Sequence, residues 1–401
     1  MSLQPFSSSD HLILEKKRLK IAVFNRNFST TGGGAERYSI ALVEQLAANH
    51  EIHVFAQEIA HKWPDVTYHP VSMPMRKPRW INQLWFATCT WWQTRSGFDV
   101  VHSHENTWHG DIQTVHVLPV KYTLFHEFWG WRLVFRRLKV ATSPRLLTYL
   151  ALEHLRFTSR PNRKIVVTSK SLRMILESAY PNCKEMISVV TPGIKLPDLP
   201  VTQLRKKNAK SLLGLPQDKF CILFVANDYR KKGLKTLLDA LAQCPPGFVL
   251  AVVGNLPEIP IFKEQVKILK LESQVFFLGS LRDVAPAYES ADCLAHPTLE
   301  DTFAMVVLEA MSYGLPVVVS SSRYCGIAGL LQHGVNALIV NDPLNAPELQ
   351  RALEQISTQH LLHAQLSQGA MEFARGYQWS QLALQQESLY LIVDAAKNGT
   401  V

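Results

Sequence analysis

Short apolar runs of strand length recur along this chain and alternate with stretches whose apolar residues repeat at helical spacing. Lys20–Asn25 reads as a buried strand, and Ala35–Ala48 carries apolar residues at 38, 42, 43 and 46, the stripe of an amphipathic helix. Glu51–Ala56 is the next strand, so this opening stretch predicts a βαβ unit. Asp99–His102 and Lys164–Thr168 read as further strands. After a turn-rich, basic stretch at Pro192–Gly214 a second series begins, with strands at Phe220–Ala226, Phe248–Gly254, Val275–Leu278, Asp292–His296 and Val317–Ser320. Two consecutive α/β series predict two doubly wound domains facing each other across a cleft, with ligands at the carboxyl ends of the strands. The expected division is a tail over 1–19, a first domain over 20–195, a second over 196–378, and a final helix over 379–401 that packs back on the first domain.

Composition narrows the class. The chain has 401 residues, 47% hydrophobic and 19% charged, which suits ordinary buried cores. No apolar run approaches the roughly 18 residues needed to cross a bilayer, and Met1–Lys20 lacks the apolar core of a secretory signal. Six scattered cysteines with no C-x-x-C spacing read as reduced, mostly buried thiols of a cytoplasmic protein. The net charge is +9. Phe128–Lys164 holds nine basic residues and one acid, Glu153. Within it Arg132, Arg136 and Arg137 interleave with Trp131 and Phe135, a pattern that fits an anionic membrane surface. A solvated helix face is the plainer alternative, and no nucleic-acid-binding motif accompanies the charge.

The most informative stretch runs from His296 through Glu300, Asp301 and Glu309 to Gly314 and Pro316. Asp301 or Thr302 reads as the N-cap of a helix that Gly314 stops. Asp301 and Glu309 are eight residues apart, about 12 Å along a helix. That is too far for two carboxylates flanking one bond, and right for gripping the ends of an elongated ligand. The first-turn amides near Phe303 and Ala304 lie between them and suit a phosphate. Glu309 sits among Val306, Val307, Leu308, Ala310 and Met311, so its carboxylate needs a partner or a ligand. Arg230, Lys231 and Lys232 follow a strand and open a helix, as a diphosphate site does. Gly32, Gly33 and Gly34, followed by Glu36 and Arg37, form a glycine-rich loop between the first strand and helix. The loop lacks G-x-G-x-x-G, so the fingerprint of a nicotinamide-dependent oxidoreductase is not met. His102, His104 and His116, with Glu105, His109 and Asp111, match no standard zinc spacing.

On these motifs the chain resembles the retaining glycosyltransferases of the GT-B fold, family 4 type. That family's signature is two acids separated by seven residues, then Ala-Met-x-x-Gly-x-Pro-Val. Here the first acid aligns with Asp301 in place of Glu, with Glu300 directly before it, and either could fill the role. The resemblance implies a nucleotide-sugar donor, UDP-hexose being expected, and transfer with retention and without metal or other cofactor. It assigns Asp301 or Glu300 to the sugar, Glu309 to the ribose, His116 of Thr114-Val-His116 to sugar placement, and Lys232 to the diphosphate. Lys231 before Lys232 is similar to the lipopolysaccharide-core sugar transferases. Gly33, Gly34 and Gly326 would lie near the donor, and Thr191–Ile194 matches the family's domain-junction turn. The implied acceptor is a glycolipid or polysaccharide at the inner face of the plasma membrane, in lipopolysaccharide core or other cell-surface synthesis. A non-catalytic module for anionic glycan or nucleic acid is the reading from another class.

Overall fold

The computed structural model describes residues 17–29, 33–254 and 256–399. Most of the expected tail, Gly32 and the chain end therefore lie outside the described residues. The first sheet is parallel and seven-stranded. Its strands are β1 (Lys20–Phe24), β2 (Glu51–Ala56), β3 (Val66–Pro70), β4 (Val100–Ser103), β5 (Ile112–Val115), β6 (Lys164–Val167) and β7 (Ile187–Val189), in the order β3-β2-β1-β4-β5-β6-β7. The second sheet has six parallel strands: β8 (Phe220–Val225), β9 (Phe248–Val253), β10 (Val275–Gly279), β11 (Cys293–His296), β12 (Val317–Ser320) and β13 (Leu338–Val340). Its order is β10-β9-β8-β11-β12-β13. In both sheets the strand order thus reverses between two adjacent parallel strands, β1 beside β4 (Ile21 opposite Val100) and β8 beside β11 (Ile222 opposite Cys293). Loops leaving the carboxyl ends of those strands splay apart there and leave a crevice.

Strands such as KIAVF and FVLAVV are apolar throughout because helices cover both faces of each sheet. The helices that matter below are α1 (Gly34–Leu46), α2 (Arg79–Thr94), α3 (Gly130–Ala141), α4 (Pro144–Phe157), α5 (Leu234–Leu241), α6 (Met305–Ser312) and α7 (Trp379–Lys397). Ile112–Val115 escapes an apolar-pattern search because its middle is polar. Gln113 accepts from Arg156 Nε at 3.0 Å, and Thr114 Oγ1 lies 2.6 Å from His102 Nε2. Those partners let polar side chains sit in a fully buried strand. The six cysteines are free thiols, four of them buried.

One boundary differs in a way that changes the chemistry. The helix expected from residue 301 begins at Met305, after Ala304 adopts a left-handed backbone with φ +72°. Asp301 lies before the helix, in a bridge with Cys325.

At the domain junction Ile194 N donates to Tyr377 O at 2.8 Å, and Trp379 N returns to Ile194 O at 3.3 Å. Gly193 is required there, since a Cβ would stand 2.9 Å from the backbone nitrogen of Trp379. Helix α7 then packs Leu389, Tyr390 and Val393 into the core that holds Tyr38 and Val43 of α1. His50 Nε2 meets Glu387 at 2.8 Å, and the Tyr390 hydroxyl meets His102 Nδ1 at 2.7 Å. Replacing Tyr390 with Phe leaves His102 Nδ1 without that partner and should cost about 1–3 kcal/mol. Tyr390→Ala empties a fully buried site and should cost about 3–5 kcal/mol. Chemical denaturation of the two variants checks the order; equal stability of Tyr390→Ala and the parent would show that α7 is not docked.

Candidate functional site

The crevice between the sheets is a cavity of ≈ 470 Å³. The first domain lines it with Gly33, Gly34, Tyr38 and His116, the second with Asn227, Lys232, His296 and Glu300–Val306. Two helices begin at it from opposite sides, α1 at Gly34 and α6 at Met305. A Cβ placed on Gly34 would meet Met305 Sδ at 3.5 Å, so the helix starts nearly touch. Each start leaves amides without intrahelical acceptors and carries the positive end of its helix dipole.

The loop carrying Lys232 is fixed by Gly233. Its φ is +81°, and any Cβ there would stand 2.0 Å from Pro297 O. Lys231 O accepts from Leu299 N at 2.8 Å. These contacts press the basic loop after β8 onto the acidic loop after β11. Lys232 Nζ donates to Asp301 Oδ2 at 2.7 Å and to Glu300 O at 2.7 Å.

Asp301 is the best-connected side chain in the crevice. Its Oδ2 faces Lys232 Nζ and His296 Nε2 (3.1 Å), and its Oδ1 accepts from the amides of Phe303 (3.2 Å) and Ala304 (2.7 Å). Burial alone would raise the pKa of this carboxyl. The His296 hydrogen bond and the Lys232 charge outweigh burial and hold it well below the usual carboxylate range. Four partners fill the acceptor capacity of a carboxylate. Phe303 and Ala304, expected to offer amides to a phosphate, therefore give them to Asp301; the amides left open by the helix start are those of Met305 and Val306.

Glu309 faces the other domain. Its Oε1 lies 3.4 Å from Arg37 Nη1 of α1, and its Oε2 accepts from the Tyr288 hydroxyl at 2.6 Å. Burial and the Glu309 charge raise Tyr288 well above an ordinary phenol, so it stays a donor. Arg37 and Glu309 line a ≈ 280 Å³ extension of the crevice with Gly254 and Arg282. Neither Arg37 nor Tyr288 was singled out by the sequence. Arg37 stands in the glycine-loop motif, whereas Tyr288 carries no signal at all.

His116 lines the crevice with its Nε2 2.9 Å from His104 Nδ1, its ring stacked on that of His104, and its carbonyl accepting from Thr302 Oγ1 at 2.7 Å. Burial, with the Arg156 charge, pushes its pKa down to about 3, so it is a neutral imidazole. His102 is tied to Tyr390 and Thr114.

Other expected site residues lie elsewhere. Arg230 is 66% exposed and pairs with Glu258 at 3.5 Å, outside the crevice lining. Lys231 pairs with Glu300 at 3.2 Å, both well exposed. Gly326 is not in the lining. Its amide donates to Asp301 O, and a Cβ would collide with Thr302 O at 1.9 Å, so it packs the Asp301 loop from behind. Arg132, Arg136, Arg137 and Trp131 lie on α3, whose sole buried residue is Val140. Arg136 is turned inward, donating to Leu124 O at 3.2 Å.

Two family models match this chain back to back. "Glycosyltransferase Family 4" matches residues 32–196, and "Glycosyl transferases group 1" matches residues 205–373. The chain belongs to the GT-B glycosyltransferases. The lipopolysaccharide glucosyltransferase WaaG of Escherichia coli is 25% identical over 238 residues, 56% of this chain and 61% of that protein. A D-inositol 3-phosphate glycosyltransferase of Corynebacterium urealyticum is 28% identical over 236 residues, 54% and 53% of the two chains. The matches thus span about half to three fifths of these curated relatives. Among solved structures, WaaG superposes with TM-score 0.79 at 21% identity, covering 93% of this chain and 99% of that one. Anabaena Alr3699/HepE in complex with UDP-glucose gives 0.74 at 19% identity, covering 93% and 99%. In this glycosyltransferase both sheets' switch points open on the one crevice.

The depressed Asp301 pKa makes a pH prediction. Its stabilising contribution is present above the unfolded-state value near 4 and is lost only as pH falls through the lower folded value. Carbon-13 NMR of the carboxyl should therefore show Asp301 ionised from pH 8 down to pH 4, and Lys232→Ala should move its midpoint upward. A midpoint of about 4 in the parent, unchanged by Lys232→Ala, would show that the pair does not form.

Proposed function

We propose that this protein transfers a hexose from UDP-hexose, with retention, to a glycolipid or polysaccharide acceptor of the cell envelope. The observation that carries the reading is the meeting of two helix N-termini from opposite domains, with Lys232 beside them and carboxylates on either side. A diphosphate between α1 and α6 would be held by open amides, two helix dipoles and one ammonium. Those groups stabilise the leaving diphosphate as charge develops on it, so the reading needs no metal ion or other cofactor. A ribose beside Gly254 would replace Arg37 on Glu309 as its hydroxyls donate to the carboxylate. UDP as the nucleotide draws support from the UDP-glucose complex of the HepE neighbour, and the envelope acceptor from the named role of WaaG.

At the sugar end the two acids divide the work. Asp301 has its acceptor capacity filled and serves as a positioning residue for Lys232 and the α6 start. Glu300, 42% exposed and, among the described residues, held by its carboxylate to one flexible lysine alone, is the carboxylate able to turn to sugar hydroxyls. Neutral His116 offers its ring to the same space. Asp301, the carboxylate buried at the sugar end, has its acceptor capacity filled, which favours attack by the acceptor on the face the diphosphate leaves over a covalent intermediate on that residue.

Helix α3 supplies the acceptor's setting. Trp129 is 81% exposed, Trp131 68% and Phe135 65%, with Val134 and Leu138 exposed beside them. Arg132 lies over the Trp131 ring, and Arg137 and Lys139 add charge. An apolar face that wide with a basic border fits the interface of an anionic membrane, which supports the reading of a peripheral protein at the cytoplasmic face.

Release of UDP from UDP-glucose or UDP-galactose by the purified chain tests the reaction. Glu309→Gln should lower kcat/KM about 100-fold, about 2.7 kcal/mol, and unaltered turnover would remove the donor assignment. Glu300→Gln should raise KM with stability intact, whereas Asp301→Asn should lower both stability and kcat; the reverse pattern would exchange their roles. An inverted anomeric centre by proton NMR would reject retention. The triple variant Arg132→Glu/Arg137→Glu/Trp131→Ala should no longer sediment with phosphatidylglycerol vesicles, and unchanged sedimentation would dismiss the membrane face.

A further inference from the structure

The amino ends of β5 and β6 lie at the opposite end of the first sheet from the crevice. A second cavity of ≈ 410 Å³ opens there, with Arg95, His109, Asp111, Arg160, Arg163 and Lys397 among its lining residues. Its charges do not balance. Asp111 is the sole acid in the lining, and its Oδ2 already accepts from Lys397 Nζ at 3.0 Å and from Val101 N at 2.8 Å. Three guanidinium groups remain, and among the described residues none makes an ion pair. Arg95 lies over the Trp92 ring at 4.0 Å.

Arg163 is the telling member. It is 3% exposed. Its guanidinium donates to Leu155 O (2.7 Å), Arg156 O (2.8 Å) and Trp108 O (2.9 Å). Carbonyls at the end of α4 give it partial negative charge and Asp111 acts on it at longer range, but among the described residues no carboxylate pairs with it, and its Nε has no partner. A buried charge without a paired counter-charge is costly.

His109 adds a second unfilled position. Its Nε2 lies 3.2 Å from Thr90 Oγ1, and that hydroxyl gives its own proton to Phe86 O at 2.8 Å. The hydroxyl must therefore accept from His109, which puts the imidazole proton on Nε2. Nδ1 is left as a buried lone pair with no partner among the described residues. Burial and the neighbouring Arg163 and Arg160 push this histidine down to about 3, so Nδ1 stays an acceptor, and the P–O–H of a hydrogen phosphate can donate to it.

We propose that this cavity binds a phosphate group, with Arg160 and Arg95 closing over it from the rim and Arg163 and His109 forming its buried wall. Guanidinium forks match phosphate oxygens in pairs, and Trp91 at the mouth gives an apolar surface for whatever the phosphate is attached to. The group could come from a soluble phosphate or from a lipid headgroup, and both would meet the same donors.

Calorimetric titration of the full chain with inorganic phosphate, and separately with monomeric dibutyryl phosphatidate, tests this. Arg160→Glu and Arg95→Glu change exposed residues and should each weaken binding at least about 10-fold, while Lys232→Ala in the crevice should leave this affinity unchanged. A response to phosphate identifies the soluble source, and a response to phosphatidate alone identifies the headgroup. Absence of binding to the parent, binding indifferent to Arg160→Glu, or binding lost only in Lys232→Ala would overturn the proposal.

Discussion

The geometry of the crevice depends on a carboxylate that is ionised and fully engaged. Asp301 receives a lysine, a histidine and two backbone amides. Removing any of these would leave charge or an amide exposed to a half-closed, low-dielectric space. Because Phe303 and Ala304 must both reach Oδ1, the chain turns sharply, and Ala304 takes a left-handed conformation before α6 starts. That turn aims the start of α6 at Gly34 instead of along the preceding strand. The same carboxylate pins Lys232, so the ammonium stands where the helix starts meet. Gly233 and Gly326 serve this arrangement by removing side chains where two backbones must come together.

Most strands of both halves, though not their order in the sheets, were legible in the chain because parallel strands covered on both faces are runs of β-branched and aromatic residues. Glu51–Ala56 and Val317–Ser320 match their predicted bounds for that reason. Three-residue strands such as Ile187–Val189 carry too little pattern to stand out, and Ile112–Val115 hides behind Gln113 and Thr114. Glu309 was legible as a carboxylate among apolar neighbours that had to have a partner. The partner's identity was not, because Arg37 and Tyr288 come from a different domain and a different helix. Asp301 misled as an N-cap because an Asp that accepts amides two and three residues on has the same local signature whether or not a helix follows at once.

The two domains do different physical work. The first supplies α1, the neutral histidine pair at the crevice wall and the exposed aromatic helix α3. The second supplies the cation, the acids and the α6 start. Helix α7 stitches the chain's end back to the first domain through Tyr390 and Glu387, so the two halves are joined twice. Arg37 and Glu309 bridge them directly, at a surface where the ion pair is partly wet and worth little. A ligand offering ribose hydroxyls to Glu309 and a diphosphate to both helix starts would replace this weak bridge with a stronger one, and closure would follow from binding.

A crystal structure of the chain with bound UDP tests that claim most directly. Its diphosphate oxygens should accept from amides at the start of α1 and from those of Met305 and Val306, with the ribose on Glu309. A diphosphate seated on one domain only, or a ribose elsewhere while Glu309 keeps its contact with Arg37, would contradict the account.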